Sequence, residues 1–279
     1  MKIGLSAESA IDLPKELLEK YNIKTVAFTI VLGEKFGFDG EITQDDIFAY
    51  VDETGKLPKT CAVNEHQYHA LFEEMLKEYD EVIHFAISSK LSSAYENALR
   101  AAASFNGRVH VIDTEVISGG IALLAITARD AIDKGESVDS IIKLVEEKKP
   151  LVQITSVLNG LDYLYKGGRC SALARFGANL FKIRPEIIMK DGKMTLKRIY
   201  RGKDEIVVKK YCADVFKDHP NINKKLIIVA STNYSKDIVD IVENKLKGMG
   251  FEEIIKVKAG STISSYCGDK SIGMLFMDM

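Results

Sequence analysis

A cluster of small hydroxyl side chains follows an apolar run in the first half of the chain. Residues 82–87 read Val-Ile-His-Phe-Ala-Ile, and the serines that follow are Ser88, Ser89, Ser92 and Ser93. A helix N-terminus with free backbone amides and neighbouring hydroxyls can bind an anion such as a carboxylate or a phosphate. The segment lacks the glycine and lysine spacing of nucleotide-binding loops, so the pattern indicates a small anion site and gives no support for nucleotide binding.

Ser93 also has a purely structural interpretation. The segment Ser93-Ala94-Tyr95-Glu96 fits a capping box, in which the serine hydroxyl accepts from a backbone amide and the glutamate reaches back to the cap. We therefore expect Ser93 chiefly to cap a helix. One cap does not account for the other serines of the cluster, which remain candidates for binding a ligand.

Two further segments contribute polar side chains that could join such a site. Asn64 and Gln67 fit the cap of a helix, which places Thr60 in the loop before it. Arg169 follows the paired glycines at 167–168, which permit a tight turn. Taken alone, these are an ordinary loop threonine and a solvated arginine.

Catalytic and metal-binding chemistry has weaker support. His66 and His69 lie three residues apart on a predicted helix, but no third ligand follows at helical spacing, so we expect one to be exposed and the other to pack. A nucleophilic Cys–His pair using Cys61 or Cys267 is the other possibility, although spacing in the sequence does not establish contact. The remaining histidines in strand-like runs are expected to be hydrogen-bonded interior residues: His84 and His110.

Composition limits the class of protein. The chain has 279 residues, a formal net charge of −2 and a pI near 6.3, which argues against a nucleic-acid partner. No apolar run is long enough to span a bilayer, and the N-terminus does not resemble a signal peptide, so we expect a cytoplasmic protein. The cysteines form no C-x-x-C pair, which suits a reducing compartment: Cys61, Cys170, Cys212 and Cys267.

The first half of the chain predicts a parallel sheet. Strand-like and helix-like segments alternate over residues 1–150, which indicates βαβ units with helices on both faces of the sheet. The predicted strands are 3–6, 24–31, 82–87 and 108–112, and the predicted helices are one capped by Asp12 with Pro14 in its first turn, 91–105 and 119–134. Ligands of such sheets bind beyond the carboxyl ends of the strands, where the serine cluster lies.

The second half predicts an α+β lobe with a mixed sheet over residues 151–279. An Asp-Gly turn at 191–192 separates two β-rich runs and is a strong hairpin signal. The predicted elements are strands 187–189 and 194–199, helix 204–217, strand 226–230, helix 235–247 and strands 254–258 and 271–276. The sequence therefore predicts two lobes.

Taken together, these segments resemble the DegV family over essentially the whole chain. The most specific matches are I-S-S-K-L-S at 87–92 and L-D-Y-L-Y-K-G-G-R at 161–169. Weaker matches occur in the same order as in the family, at 11–14, 59–60, 111–114 and 268–273.

The resemblance implies a non-enzymatic protein that encloses one long-chain fatty acid in an apolar ligand tunnel between its lobes. We expect neither a cofactor nor a metal. The resemblance also implies that the bound acid is presented to a separate fatty-acid kinase, with Arg169 and Arg201 on the docking face. Thr60 and Ser92 are expected to hydrogen-bond the carboxylate, with Ser93 beside them. Tyr266 stands where the family has the histidine of H-x-G-P-G, and we expect its hydroxyl to face the same polar end.

A different class of function uses the same cleft. A small hydrolase or transferase could act there on an acyl or phosphorylated substrate. The motifs supply hydroxyls and amides but no recognisable set of nucleophile, base and orienting group, so the sequence favours binding over catalysis.

Overall fold

The computed structural model describes residues 1–170 and 183–279. The strands are β1 Ile3–Glu8, β2 Ile23–Val26, β3 Thr29–Leu32, β4 Lys35–Phe38, β5 Lys59–Cys61, β6 Glu81–Ala86, β7 Val109–Asp113, β8 Val152–Val157, β9 Arg184–Lys190, β10 Lys193–Tyr200, β11 Ile222–Thr232, β12 Glu253–Lys258 and β13 Ser271–Asp278. The α-helices are α1 Lys15–Lys20, α2 Gln44–Thr54, α3 Glu65–Met75, α4 Ala94–Ala102, α5 Gly119–Asp133, α6 Val138–Lys148, α7 Asp162–Lys166, α8 Asp204–Asp218, α9 Lys236–Gly248 and α10 Ser261–Cys267.

The predicted parallel sheet is present in the first half of the chain. Its strand order is β2-β1-β6-β7, and every neighbouring pair is parallel. Strand β6 is almost entirely buried, as expected for a strand covered on both faces. The serine cluster follows its carboxyl end.

The second half forms a mixed sheet of six strands in the order β10-β9-β8-β13-β11-β12. Only β11 and β12 pair in parallel among its described strands. Asp191 and Gly192 connect β9 to β10 with φ values of 50° and 74°, the backbone conformation that an Asp-Gly hairpin turn requires. The predicted α/β class, with one parallel and one mixed sheet, is confirmed.

A small antiparallel sheet in the order β4-β3-β5 was not expected from the sequence. The predicted single strand 24–31 is wrong, because the chain breaks after Val26 and resumes as β3 in this different sheet. Thr60 was also wrongly assigned to a loop, since it lies in β5 opposite Ile30 of β3. A strand of three residues is too short to show a period of two in the sequence.

Helix α5 packs between the two larger sheets. It contacts β1 and β6 on one side and β8, β11 and β13 on the other. Gly119 and Gly120 permit this approach, because a Cβ added there would lie 2.8 Å from Ile228 and 2.6 Å from Ile154. No helix within residues 1–170 and 183–279 is long and apolar enough to cross a membrane. The division of the chain into two lobes at residue 150 stays a prediction.

Candidate functional site

A cavity of about 170 Å³ lies beyond the carboxyl end of β6, and its wall draws on both halves of the chain. The wall is apolar over most of its length and carries a few polar side chains. The lining residues are Phe28, Thr60, Ala62, Ile87, Leu91, Ser92, Ser93, Ile117, Arg169, Met194, Thr262, Ile263, Tyr266 and Cys267.

Thr60 and Tyr266 meet at one point of this wall. They are 206 positions apart in the sequence, yet the Thr60 hydroxyl and the Tyr266 hydroxyl lie 2.8 Å apart and share a hydrogen bond. Strand β5 holds the threonine and helix α10 holds the tyrosine. Each hydroxyl can accept one hydrogen bond while donating another, so the pair retains a donor for a ligand.

Ser92 lines the same cavity from the turn before α4. Its hydroxyl oxygen accepts a hydrogen bond from the backbone amide of Ala94 at 3.2 Å, which leaves the hydroxyl proton free to donate. Two other serines of the cluster make hydrogen bonds within the protein. The Ser88 hydroxyl donates to the carbonyl of Gly192 in the β9–β10 turn, and the Ser89 backbone amide donates to the Asp113 side chain.

The predicted capping box at Ser93 is wrong. Ser93 precedes α4, but its side chain makes no cap hydrogen bond, and its φ and ψ of −77° and 6° differ from the extended conformation of a capping serine. Only its backbone carbonyl takes part, accepting from the amide of Asn97. Ser93 is exposed and lies at the rim of the cavity. The predicted Asn64–Gln67 cap of α3 is confirmed.

Arg169 covers the Tyr266 ring at the rim of the cavity. Its guanidinium lies 4.9 Å from the ring centroid and donates to the backbone carbonyls of Gly167 and Leu91. A cation over an aromatic face is held by the electrostatics of the ring. Arg201 is exposed after β10 and is not among the described residues of the cavity wall.

A second pocket of about 460 Å³, the vestibule, lies beside the rim and shares Thr60, Arg169 and Tyr266 with the cavity. Its wall also carries three lysines, and the described lining residues include no aspartate or glutamate: the lysines are Lys56, Lys59 and Lys166. The entrance to the polar end of the cavity is therefore positively charged.

An apolar chamber of about 40 Å³ adjoins the cavity on its inner side. Ile117, Ile263 and Cys267 line both spaces and form the boundary between them. Burial raises the pKa of the Cys267 thiol to about 12, so this side chain is a neutral, apolar part of the wall at neutral pH. The two chambers are small beside the roughly 300–1,000 Å³ of typical ligand pockets.

Two aspartate carboxyl groups position α10 against this cavity. The backbone amide of Gly260 donates to Asp12, and the amides of Ser261 and Thr262 donate to Asp39. Asp12 also accepts from the hydroxyl of Ser118. Asp12 was predicted to cap α1, which is wrong: that helix begins at Lys15 without a side-chain cap, while Asp12 adopts a left-handed φ of 59°.

The described residues give little support for catalysis in the cavity. None of the five histidines in the sequence lines it, so Cys267 has no imidazole beside it there. His66 is exposed and His69 packs on Phe105, as predicted. No group of three or more His, Cys, Asp or Glu in residues 1–170 and 183–279 is placed to hold a metal.

A chain of Ser6, His84 and Glu8 inside the protein has the residue types of a hydrolytic triad. The Ser6 hydroxyl lies 2.9 Å from His84 Nδ1, and His84 Nε2 lies 3.2 Å from Glu8. All three side chains have no exposed surface, so a substrate cannot reach the serine. His84 is thus a hydrogen-bonded strand residue, as the sequence predicts. The same holds for His110, which forms a hydrogen bond with Glu81.

Comparison with known proteins identifies the family. A sequence model described as "Uncharacterised protein, DegV family" matches residues 2–278. The chain belongs to the DegV family. The match spans both halves of the chain and confirms the resemblance carried by the serine segment and the Gly-Gly-Arg segment.

Relatives within the DegV family are described as binding proteins. The chain is 26% identical to a fatty acid-binding protein of Thermotoga maritima, covering 98% of this chain and 96% of the relative. It is also 26% identical to a DegV family protein of Thermus thermophilus whose solved structure is described by fatty acid binding, with a TM-score of 0.90 and complete coverage of both chains. A stearic acid-binding protein of Eubacterium ventriosum is 25% identical, with a TM-score of 0.82 and coverage of 99% and 98%.

Sequence reasoning missed Asp39 and Thr262. Neither belongs to a recognisable motif, and their relation to the cavity depends on how α10 packs against the small sheet. A sequence signal for Thr262 is its position four residues before Tyr266, which places both on one face of a helix.

Proposed function

We propose that this protein binds a long-chain fatty acid without chemical conversion, in the cytoplasm, and presents its carboxylate at the basic vestibule. The observation that carries the proposal is the hydrogen-bonded pair Thr60–Tyr266 in the wall of a mainly apolar cavity. Ser92 adds a third hydroxyl with a free proton. The acyl chain extends inward past Ile117 and Ile263.

Charge and solvation favour a carboxylate at this end of the cavity. A buried carboxylate is unfavourable unless several donors satisfy its oxygens, and hydroxyl groups provide them without adding charge. Arg169 at the rim and the lysines of the vestibule attract an anion from solution. Burial of the acyl chain supplies most of the affinity, at about 0.8 kcal/mol for each methylene.

The partner we propose is a fatty-acid kinase that docks at the vestibule. Arg169 lies at the entrance next to the polar end of the cavity, so a protein bound there would face the carboxylate. Arg201 is exposed, and we assign it to the same docking face on the family resemblance. Such a partner needs an acidic surface to complement the basic entrance.

The proposal is tested by identifying what the purified protein carries. Native mass spectrometry of freshly purified full-length chain is expected to show one bound long-chain acid per chain, released intact by denaturation. Titration of the delipidated protein with hexadecanoic acid should then give saturable binding of one equivalent. Release of a hydrolysed acyl product, or failure to bind any long-chain acid, would contradict the proposal.

Removal of the tyrosine hydroxyl provides a narrower test. Tyr266→Phe keeps the ring that contacts Arg169 and removes the hydroxyl that lies beside Thr60. We expect roughly tenfold weaker binding of hexadecanoic acid, because a hydrogen bond to a charged group contributes about 1.5–3 kcal/mol and Thr60 compensates in part. The matched control is Tyr165→Phe, an exposed tyrosine of α7. Equal affinities of Tyr266→Phe and the parent would show that the hydroxyl does not contact the ligand.

A further inference from the structure

Thr262 presents a polar group for which the proposed carboxylate site has no use. The side chain is only 4% exposed and lines the cavity, yet its hydroxyl oxygen is buried with no hydrogen-bond partner among the described residues. Buried hydroxyls in proteins nearly always have a partner, because an unsatisfied one loses its hydration without replacement. An unpaired hydroxyl in the wall of a binding cavity therefore points to a ligand group.

The neighbouring hydroxyls of α10 are all satisfied within the protein. Ser264 donates to the carbonyl of Ala259, Ser265 donates to that of Ser261, and the Ser261 hydroxyl donates to Ile42. The partners of these three serines are thus backbone carbonyls, two of them local and one in the distant segment that precedes α2. Thr262 differs from these serines because it alone of the four faces the cavity.

The position of Thr262 separates it from the carboxylate end. Thr262 and Tyr266 are four residues apart on one face of α10, a rise of about 6 Å along the helix. The Thr262 amide bonds Asp39, and the Asp39 amide bonds the carbonyl of Phe28, so Thr262 lies at the level of Phe28. Phe28 precedes the Thr29–Cys61 pair of the β3–β5 pairing, and it lines the same cavity as Thr60 and Thr262. A ligand whose carboxylate lies at Thr60 therefore passes Thr262 with its acyl chain.

We infer that the cavity recognises a long-chain acid bearing a hydroxyl group on its acyl chain, with Thr262 as the residue that hydrogen-bonds this substituent. The inference rests on the proposed fatty-acid site and specifies its ligand class. A threonine hydroxyl both donates and accepts, so it pairs with an alcohol in either direction. An unsubstituted acid leaves Thr262 unpaired, whereas a hydroxyl at the matching carbon satisfies both groups at once.

Titration of the delipidated full-length protein with hexadecanoic acid and with a positional series of its monohydroxy derivatives tests the inference. We expect one isomer, hydroxylated away from the carboxyl end, to bind roughly fivefold more tightly than the unsubstituted acid. Thr262→Val keeps the side-chain shape and removes the hydroxyl, and it should reverse this preference because the ligand alcohol is then buried without a partner. Thr262→Ser should retain the preference.

The control is Thr114→Val, which removes a buried threonine hydroxyl that donates to the carbonyl of Ala86. Its ratio of affinities for the two acids should equal that of the parent. If the parent binds every hydroxylated isomer no more tightly than hexadecanoic acid, the role of Thr262 is overturned while the fatty-acid proposal stands. If the parent binds none of these acids, the role of Thr262 and the fatty-acid proposal are both contradicted. The parent measurement decides the matter even if a variant does not fold.

Discussion

Replacing Thr60 by valine together with Ser92 by alanine is expected to weaken binding of hexadecanoic acid about a hundredfold or more. Both hydroxyls line the polar end of the cavity, and each can donate to the carboxylate. A hydrogen bond to a charged group contributes about 1.5–3 kcal/mol, and each 1.4 kcal/mol is tenfold in the dissociation constant. The double variant leaves the carboxylate with the Tyr266 hydroxyl as its main side-chain donor.

The measurement is a titration of delipidated protein, with thermal unfolding to show that the fold persists. Ser92→Ala also removes the oxygen that accepts from Ala94, so a small loss of stability is expected from this change. The matched control is Thr25→Val with Ser89→Ala, which alters a threonine exposed on β2 and a serine of the same cluster outside the described cavity wall. A double variant that folds and binds with the affinity of the control would remove Thr60 and Ser92 from the site.

The larger elements could be predicted because they carry local signals. The alternation of β-rich and helical segments was sufficient for the parallel sheet, and Asp191-Gly192 specified the β9–β10 hairpin through backbone conformations that glycine and aspartate tolerate. Helix α5 followed from its long apolar run. What the sequence did not show is that this helix contacts both large sheets, since that depends on packing around Gly119 and Gly120.

The small sheet and the exact first residues of the helices could not be predicted from short segments of the sequence. Strand β5 has only three residues, which is too few to show an alternating pattern. Strand β3 begins three residues after β2 ends, so the two strands look like one continuous strand in the sequence. At Ser93 the residue types fit a capping box, but the backbone takes another conformation and Ser92 accepts the amide of Ala94 instead. A motif states which bonds are possible, and the geometry of the turn decides which one forms.

The candidate site also has a part that could be predicted from the sequence and a part that could not. Thr60, Ser92 and Tyr266 were proposed together from family resemblance, and the structure places all three in one wall. Their roles toward a carboxylate stay a prediction. The contact between Thr262 and Asp39 gave no signal, because it joins residues 223 positions apart. Long-range pairs of this kind depend on tertiary packing and leave no periodic trace in the sequence.

Asp12 is a buried ionisable group next to this site. It is buried against the first turn of α10, where it accepts from Gly260 and Ser118. Burial raises its pKa from 3.8 to about 8, and the charge of nearby Asp39 adds to the shift. Burial, together with the nearby Asp12, raises the pKa of the Cys267 thiol to about 12. At neutral pH the Asp12 carboxyl is therefore mainly protonated in the folded protein.

This shift predicts that the free energy of unfolding decreases as the pH rises from 5 to 8. The folded protein holds the Asp12 proton in this range while the unfolded chain releases it, so the stabilisation present below pH 3.8 is lost progressively up to about pH 8. One proton over three pH units corresponds to about 4 kcal/mol. Asp12→Asn cannot ionise and keeps an acceptor for the Gly260 amide, so it should lack this decrease.

Urea unfolding of the parent, Asp12→Asn and the control Asp45→Asn at pH 5 and pH 8 measures the effect. Asp45 is an exposed aspartate in the first turn of α2, so the control should follow the parent at both pH values. The difference between parent and Asp12→Asn isolates this carboxyl from the surface groups that titrate in both proteins. Parallel pH profiles for the two would mean that the Asp12 carboxyl is ionised in the folded state throughout this pH range.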